Sequence, residues 1–279
     1  MESLSFAVVA KSAESHGLAS DFCRRLQALT AIAIQPRVLG SYAEMLGRLQ
    51  TGQVELAWTP PLVAMKLEDE SAARLLVVVQ RKYTAGYHSA LFVRTDSGLK
   101  TVEDLDRATV AWVSHQSASG YFVPRWQLRS RGIDLRRAFG RELFFPNHQA
   151  VARAVCSGEA NVGATHVALD PVSGRLASAP WQPLINQSRI RVLLLVGPIP
   201  GDGIAARSDV PADTRRQLTA ALLALRPDDA AVGPLFDATS FEPVPDGHLA
   251  LLRRLSRFAA STFAMDHDEL DPGPTGHLR

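Results

Sequence analysis

The sequence predicts an α/β fold of two lobes, each a mixed, mostly parallel sheet flanked by helices, with a two-strand hinge between them. Three observations favour this fold class. Apolar runs that suit buried strands alternate with helical periodicity over roughly the first 80 residues. The same alternation begins again near residue 87, and the chain beyond Pro200 becomes helical, as expected for segments that pack back onto the first lobe.

The first lobe begins with a continuous apolar run at residues 4–10, which is typical of a buried parallel strand. A helix follows over residues 15–29, where apolar side chains recur at helical spacing. Ser41 is a candidate cap for the next helix, and Gly52 is its natural end. Further elements of this lobe are strands at 34–39, 54–58 and 75–79 and a helix that starts at Pro60 and Pro61.

The second lobe starts with a long predicted strand from Tyr87 to Arg94. One helix is predicted over 118–131, and a second begins after Asn147, which is a suitable cap. The remaining strands of this lobe are predicted at 108–113, 142–145, 162–164 and 191–196. Beyond Pro200, where the chain returns to the first lobe, helices are predicted at 211–225, 229–236 and 247–263.

These assignments define a discontinuous first lobe and an inserted second lobe. Lobe 1 comprises residues 1–88 and 201–265, and lobe 2 comprises residues 89–200. The two chain crossings between them would form the hinge. Residues 266–279 are polar and rich in Pro and Gly, which predicts a loose tail.

Composition excludes several functional classes. The chain has 279 residues, 46% of them apolar and 21% charged, which is ordinary for a globular protein. The net charge of +2 comes without a basic stripe interleaved with aromatics, so nucleic acid is not an expected partner. No apolar run approaches the roughly 18 residues of a membrane span, so no membrane insertion is expected. Cys23 and Cys156 lie far apart and neither is part of a Cys-x-x-Cys pair, so we expect no metal or redox site. No cofactor is expected.

The amino terminus runs from Met1 straight into the first apolar strand, without a basic segment, a long apolar segment or a lipid-anchor cysteine. As written, this predicts a cytoplasmic protein. A chain from which a leader has been trimmed would begin in the same way, and the protein would then be periplasmic.

The strongest local signal for chemistry lies between Trp112 and Tyr121, where a strand ends and a helix begins across small hydroxyl residues. The first four amides of a helix have no partner within it, and the helix dipole adds partial positive charge there. Ser117 and Ser119 add hydroxyl donors, and Gly120 lets a ligand approach the backbone closely. This combination favours an anion site that needs no Lys or Arg. An ordinary serine cap of a helix is the alternative.

An ordered set of motifs surrounds this segment. It comprises Gly52–Trp58, Tyr87–Arg94 followed by Asp96–Gly98 and Val102–Leu105, Ser117–Tyr121 with Pro124, Leu128 with Gly132–Asp134, His148 with Ala154–Gly158, and Ile199–Asp202 before Arg207. In this order the motifs resemble those of the phosphonate and phosphate-ester binding proteins of ABC importers, which have a type 2 periplasmic-binding-protein fold. The ordered set covers most of the chain.

The resemblance implies an oxyanion subsite in the second lobe. Ser117 and Ser119, together with nearby backbone amides at Ala118 and Gly120, would hold the phosphonate oxygens. His148 would donate a further hydrogen bond to the same group. The alternative for His148 is a surface residue at a helix start.

The resemblance also implies contacts to the rest of the ligand. Tyr87 would line the ligand, and its alternative is an ordinary strand aromatic. Asp202 matches an acidic residue of the family that pairs with the ligand's amino group, and its alternative is a turn aspartate between Gly201 and Gly203.

The sequence departs from the family pattern in three places. Ala118 stands where relatives often carry a threonine hydroxyl, so one oxyanion contact is missing. Thr165 and His166 stand near the place of an acidic residue for the amine, so the amine subsite is altered. Trp58 begins a turn that replaces the usual aromatic-Gly-Pro turn, so this wall of the cleft should differ. The oxyanion end is therefore expected to be retained, while the other end recognises something else.

Weaker patterns add one candidate and two alternatives. Ser12 follows the first strand, where an open α/β lobe presents its ligand loop, although a solvated turn is the simpler interpretation. A metal held by His115, His148 and His166 lacks support from short His spacing. Ser117 with His148 resembles a nucleophile and base, but no nucleophile elbow is present.

The predicted function is a non-catalytic solute-binding protein that clamps a small oxyanion, a phosphonate, phosphate or phosphate ester, between its lobes. Its expected partners are that anionic ligand and an ABC permease or a regulatory protein. Two alternatives stay open: a cytoplasmic enzyme on the same fold, similar to menaquinone-pathway or thiamine-pathway proteins, and a ligand sensor. The absence of a leader in the sequence motivates both.

Overall fold

The computed structural model describes residues 3–10, 13–81, 86–226 and 232–263, with side chains to Arg257. Ser12 as a ligand contact, the first three residues of the helix predicted at 229–236 and the tail at 266–279 therefore lie outside the described residues. Among the residues described, no helix combines the length and the apolar character needed to cross a bilayer.

The strands and helices alternate as the periodicity predicts. The strands are β1 Leu4–Val9, β2 Ile34–Leu39, β3 Leu56–Thr59, β4 Ala73–Gln80, β5 Gly86–Arg94, β6 Ala108–Trp112, β7 Phe139–Phe144, β8 Val162–Leu169, β9 Leu176–Ser178, β10 Ile190–Pro200, β11 Gly203–Arg207 and β12 Ser240–Glu242. The helices are α1 Ser15–Thr30, α2 Tyr42–Gln50, α3 Pro61–Asp69, α4 Val123–Ser130, α5 Leu135–Ala138, α6 His148–Ser157, α7 Ala212–Ala224, α8 Val232–Phe236 and α9 Ala250–Phe263.

The strands form two open, mixed sheets. Sheet 1 has the order β12-β4-β11-β3-β1-β2, in which β1 runs parallel to β2 and β3 while β11 is antiparallel to β3 and β4. Sheet 2 has the order β10-β5-β8-β6-β7, with β9 paired to β8. There β6 is parallel to β7 and β8, and β5 is antiparallel to β8 and β10. Two sheets flanked by helices confirm the predicted α/β class.

The chain passes between the sheets twice, and the two crossings lie side by side. It enters sheet 2 with β5 and leaves it at the end of β10, where Ile199 pairs with Tyr87 and Pro200 with Gly86. The next strand, β11, is already part of sheet 1. Strands that are hydrogen bonded at the crossing tie the two sheets together at this edge.

Strand β11 lies beyond Pro200, where the sequence predicts only helices. The strand lies between β3 and β4 in the middle of sheet 1, and its first four residues are buried. Its sequence contains one glycine and two alanines, which have little β propensity. Burial between two other strands, rather than local preference, determines its conformation.

Hydrophobic residues cover both faces of each sheet, and one further cluster joins the two sheets. That cluster contains Met65 of α3, Ala118, Ile199 of β10 and Leu252 of α9. It brings residues from both sheets together beside the candidate site. Burial of this apolar surface stabilises the relative placement of the two sheets.

Candidate ligand-binding site

Two helices of sheet 2 begin at the same edge. Strands β6 and β7 are parallel neighbours, so their carboxyl ends lie together. The helical turn that starts at Ala118 follows β6, and α6 starts at His148 after β7. In an open α/β sheet this carboxyl edge is where ligands bind, and helix N-termini there favour anions.

The turn after β6 has the geometry of a capped helix start. Residues Ala118–Phe122 form a single π turn that leads into α4. The hydroxyl oxygen of Ser117 accepts a hydrogen bond of 3.0 Å from the amide of Gly120, and the amide of Phe122 donates to the carbonyl of Ser117 at 3.0 Å. The amides of Ala118 and Ser119 precede this first helical bond, so they belong to the amides without a partner inside the helix.

Ser119 is held against strand β5. It is 1% exposed, and its carbonyl accepts a hydrogen bond of 2.7 Å from the hydroxyl of Ser89. Its side chain also hydrogen bonds with the hydroxyl of Tyr87. The predicted oxyanion turn therefore faces inward onto β5 rather than toward bulk solvent.

Gly120 is required for a reason that differs from the predicted one. A Cβ atom at this position would lie 2.5 Å from Cγ2 of Val113 and 2.8 Å from Oγ of Ser117. The turn thus packs against the end of its own strand, and any larger residue would push the helix start away. The structure therefore explains the glycine by this packing.

Ser114 is a hydroxyl at this edge that the sequence analysis did not select. It lies just beyond β6, and its carbonyl accepts from the amide of Ser117 at 2.9 Å. Its Oγ atom is buried and has no hydrogen-bond partner within the part of the chain that the structure describes. A buried hydroxyl of this kind costs free energy unless something binds to it.

Three further predicted residues cluster at the start of α6. The Nδ1 atom of His148 lies 3.0 Å from the hydroxyl oxygen of Thr165. The rings of His148 and His166 meet edge to face with centroids 4.5 Å apart, and the His166 ring lies 6.5 Å from that of Tyr87. Imidazoles and hydroxyls at a helix N-terminus provide hydrogen-bond donors for an anion.

The carboxyl edge of sheet 1 contributes a partly buried ion pair. Nη1 and Nη2 of Arg81, after β4, donate to the two carboxylate oxygens of Asp202 at 2.6 and 3.0 Å. The indole N–H of Trp58, at the end of β3, donates to the same carboxylate. The two predicted residues Trp58 and Asp202 therefore meet, and both are joined to an arginine that the sequence analysis missed.

Two tyrosines lie close to this ion pair, and one of them, Tyr87, also reaches the oxyanion turn. Burial, together with the negative charge of Asp202, raises the pKa of Tyr42 to about 12. The same two causes raise the pKa of Tyr87 well above its ordinary value. Because Tyr87 also hydrogen bonds with Ser119, one side chain links the charged edge of sheet 1 to the turn of sheet 2.

The structure thus brings the described site residues into two facing groups. Sheet 2 contributes one group, and sheet 1 the other, with Tyr87 between them. The first group is Ser117, Ala118, Ser119, Gly120, His148, Thr165 and His166, and the second is Trp58 and Asp202 with the additional Arg81 and Tyr42. No group of three or more His, Cys, Asp or Glu that is placed to hold a metal occurs among the described residues.

Two sheets whose carboxyl edges meet across a polar site define a two-lobed ligand-binding protein. The chain belongs to the family of periplasmic substrate-binding proteins of phosphonate ABC transporters, whose family model matches residues 6–249. This membership confirms the predicted family and the predicted solute-binding function over the enzyme alternative. A small anionic ligand and a permease partner follow from it in general terms.

Solved structures confirm the type 2 periplasmic-binding-protein fold. A binding protein component of an ABC phosphonate transporter from Pseudomonas aeruginosa matches with a TM-score of 0.76 and 19% identity, covering 96% of this chain and 90% of that chain. A Xanthomonas citri protein bound to ATP matches with a TM-score of 0.73 and 22% identity, covering 95% of this chain and 99% of that chain. PhnD1 from Prochlorococcus marinus in complex with methylphosphonate matches with a TM-score of 0.72 and 15% identity, covering 92% of this chain and 98% of that chain.

Proposed function

We propose that the protein binds a small phosphorus oxyanion, a phosphonate or a phosphate ester, between its two sheets and delivers it to an ABC permease. The observation that carries this proposal is the meeting of two helix N-termini, at Ala118 and His148, on the edge that faces sheet 1. The ligand class comes from the family description. The family is periplasmic, and we infer the same location for this chain.

The oxyanion would be held by donors from the second sheet. The amides of Ala118 and Ser119, the hydroxyls of Ser114, Ser117 and Ser119, and the ring of His148 are the candidates. Hydrogen bonds to a charged group contribute about 1.5–3 kcal/mol each, so three or four of them support binding on the order of micromolar.

The lobe assignment belongs to the same proposal. Residues 1–88 and 201–265 would move as one lobe and residues 89–200 as the other. Bending would occur where β5 and the end of β10 lie side by side. Closure of such lobes removes water from the ligand, which strengthens its hydrogen bonds.

Isothermal titration calorimetry with methylphosphonate and with inorganic phosphate tests the proposal. The parent protein should bind at least one of them, and Ser119→Ala should weaken this binding about 10- to 100-fold, which corresponds to the loss of one charge-assisted hydrogen bond. Ser130→Ala is the matched control, because Ser130 lies exposed at the end of the helix that follows the same turn.

Two results would contradict this assignment. One is the absence of heat with every phosphorus oxyanion tested. The other is an affinity in Ser119→Ala equal to that of Ser130→Ala, which would place the ligand elsewhere on the protein.

A further inference from the structure

The carboxylate of Asp202 is fully engaged by groups of the protein itself. Both of its oxygens accept hydrogen bonds from Arg81 in a bidentate arrangement, at 2.6 and 3.0 Å. The indole of Trp58 donates to one of these oxygens as well. Paired N–H donors in the plane of a carboxylate form the strongest type of ion pair in proteins.

This ion pair is partly shielded from bulk water. The side chains of Arg81 and Asp202 are 29% and 13% exposed. Arg81 also donates to the carbonyl of Phe236 at 3.0 Å, which fixes the guanidinium in place. A second carboxylate, that of Asp237, lies 4.0 Å from the guanidinium, but it is 94% exposed and is screened by solvent.

The ion pair forms part of the wall of the proposed ligand site. Asp202 and Arg81 act electrostatically on both Tyr42 and Tyr87, and Tyr87 hydrogen bonds with Ser119 of the oxyanion turn. A ligand whose oxyanion end lies at Ser119 would therefore direct its other end toward this wall.

A cationic group of a ligand would gain little at this wall. The charge of Asp202 is already neutralised by Arg81, so no uncompensated negative charge is left to receive an ammonium ion. An ammonium ion that replaced Arg81 would leave the guanidinium unpaired in a partly buried site, which is strongly unfavourable. An ammonium ion that left Arg81 in place would lose its hydration next to another cation, without gaining a free carboxylate.

We propose that the site selects oxyanions whose other end carries no ammonium group, such as alkylphosphonates and simple alkyl phosphate esters, and discriminates against aminoalkylphosphonates. This inference rests on the proposed function and narrows its ligand class. The discriminating element is the Arg81–Asp202 pair.

Calorimetry with ethylphosphonate and 2-aminoethylphosphonate tests this selectivity, because the two ligands differ only by the amino group. The parent protein should bind ethylphosphonate at least about tenfold more tightly at neutral pH, where the amine is charged. Equal or tighter binding of 2-aminoethylphosphonate would overturn the selectivity and leave the proposed function intact. Failure of both ligands and of inorganic phosphate to bind would overturn both.

Arg81→Met tests whether the ion pair causes the selectivity. Without the guanidinium, Asp202 is available to an ammonium group, and the ratio of the two affinities should shift toward 2-aminoethylphosphonate by about tenfold or more. Arg94→Met is the matched control, because Arg94 holds Asp96 in the same bidentate way, at 2.8 and 2.9 Å, at the far end of β5. An unchanged ratio in a folded Arg81→Met protein would assign the selectivity to another group, and the comparison in the parent protein stands even if this variant does not fold.

Discussion

The hydroxyl of Ser89 donates a hydrogen bond of 2.7 Å to the backbone carbonyl of Ser119, and this bond attaches the oxyanion turn to the strand that crosses between the sheets. The carbonyl needs such a donor. In the π turn the amide of Val123 donates to the carbonyl of Ala118. By the same spacing, the carbonyl of Ser119 would accept from residue 124, but that residue is a proline and has no amide hydrogen. Ser89 supplies the donor that the helix lacks.

Ser89→Ala should therefore destabilise the protein. The substitution leaves a buried carbonyl without its partner, and we expect the free energy of unfolding to fall by about 1–3 kcal/mol. Urea denaturation followed by circular dichroism measures this change, with Ser130→Ala as the exposed control. Equal stability of the two variants would mean that the bond to Ser119 contributes nothing.

Gly120→Ala should disturb the turn and also displace the hydroxyl of Ser117, a candidate ligand donor that would lie 2.8 Å from the added Cβ atom. The added Cβ atom would lie 2.5 Å from Cγ2 of Val113, so the helix start must move. We expect a loss of about 1–3 kcal/mol in the free energy of unfolding, with weaker binding of methylphosphonate by calorimetry. Gly47→Ala in α2 is the control, since its added Cβ would contact nothing within 4 Å. Normal stability and binding in Gly120→Ala would show that the turn tolerates displacement.

Leu252→Ala tests the cluster that joins the two sheets. Leu252 is completely buried beside Met65 and Ile199, and its truncation should lower the free energy of unfolding by about 2–5 kcal/mol. Leu223→Ala, at a position that is 38% exposed on α7, should cost far less. Thermal or urea denaturation compares the two variants. Similar losses in both would indicate that α9 does not stabilise the fold through this cluster.

His88→Gln tests a pH dependence of stability. Burial lowers the pKa of the His88 imidazole, whose Nδ1 atom is buried without a hydrogen-bond partner among the described residues. The unfolded chain takes up the proton near the ordinary pKa of about 6.5, and the folded protein does so only at lower pH. The stability contributed by the neutral ring is therefore present above about pH 6.5 and is lost as the pH falls toward the folded-state pKa.

The melting temperature of the parent protein should fall between about pH 7.5 and about pH 5.5, and it should fall less in His88→Gln because the variant has no imidazole to protonate. His16→Gln, at an exposed position on α1, is the control and should follow the parent protein. The same decrease in all three proteins would assign the acid sensitivity to other groups.

Much of the fold could be predicted because the signals are local. The apolar run of β1 and the helical spacing of α1 depend only on neighbouring residues, and both elements occur almost as predicted. The capped helix start at Ser117 is local as well, since the hydroxyl of Ser117 accepts a hydrogen bond from the amide of Gly120, only three residues away. By contrast, β11 depends on two strands that flank it in space, and its own residues do not favour a strand.

The sequence by itself determined that this protein has two α/β units and a hydroxyl-rich helix start, because periodicity and capping are properties of short segments. Only the tertiary structure decided what Asp202 pairs with. Arg81 lies 121 residues away along the chain, and the two meet because β4 and β11 are neighbours in sheet 1. Whether Asp202 pairs with that arginine or with a ligand's amine depends on the distance between the groups and on their burial, and no pattern in the sequence shows either.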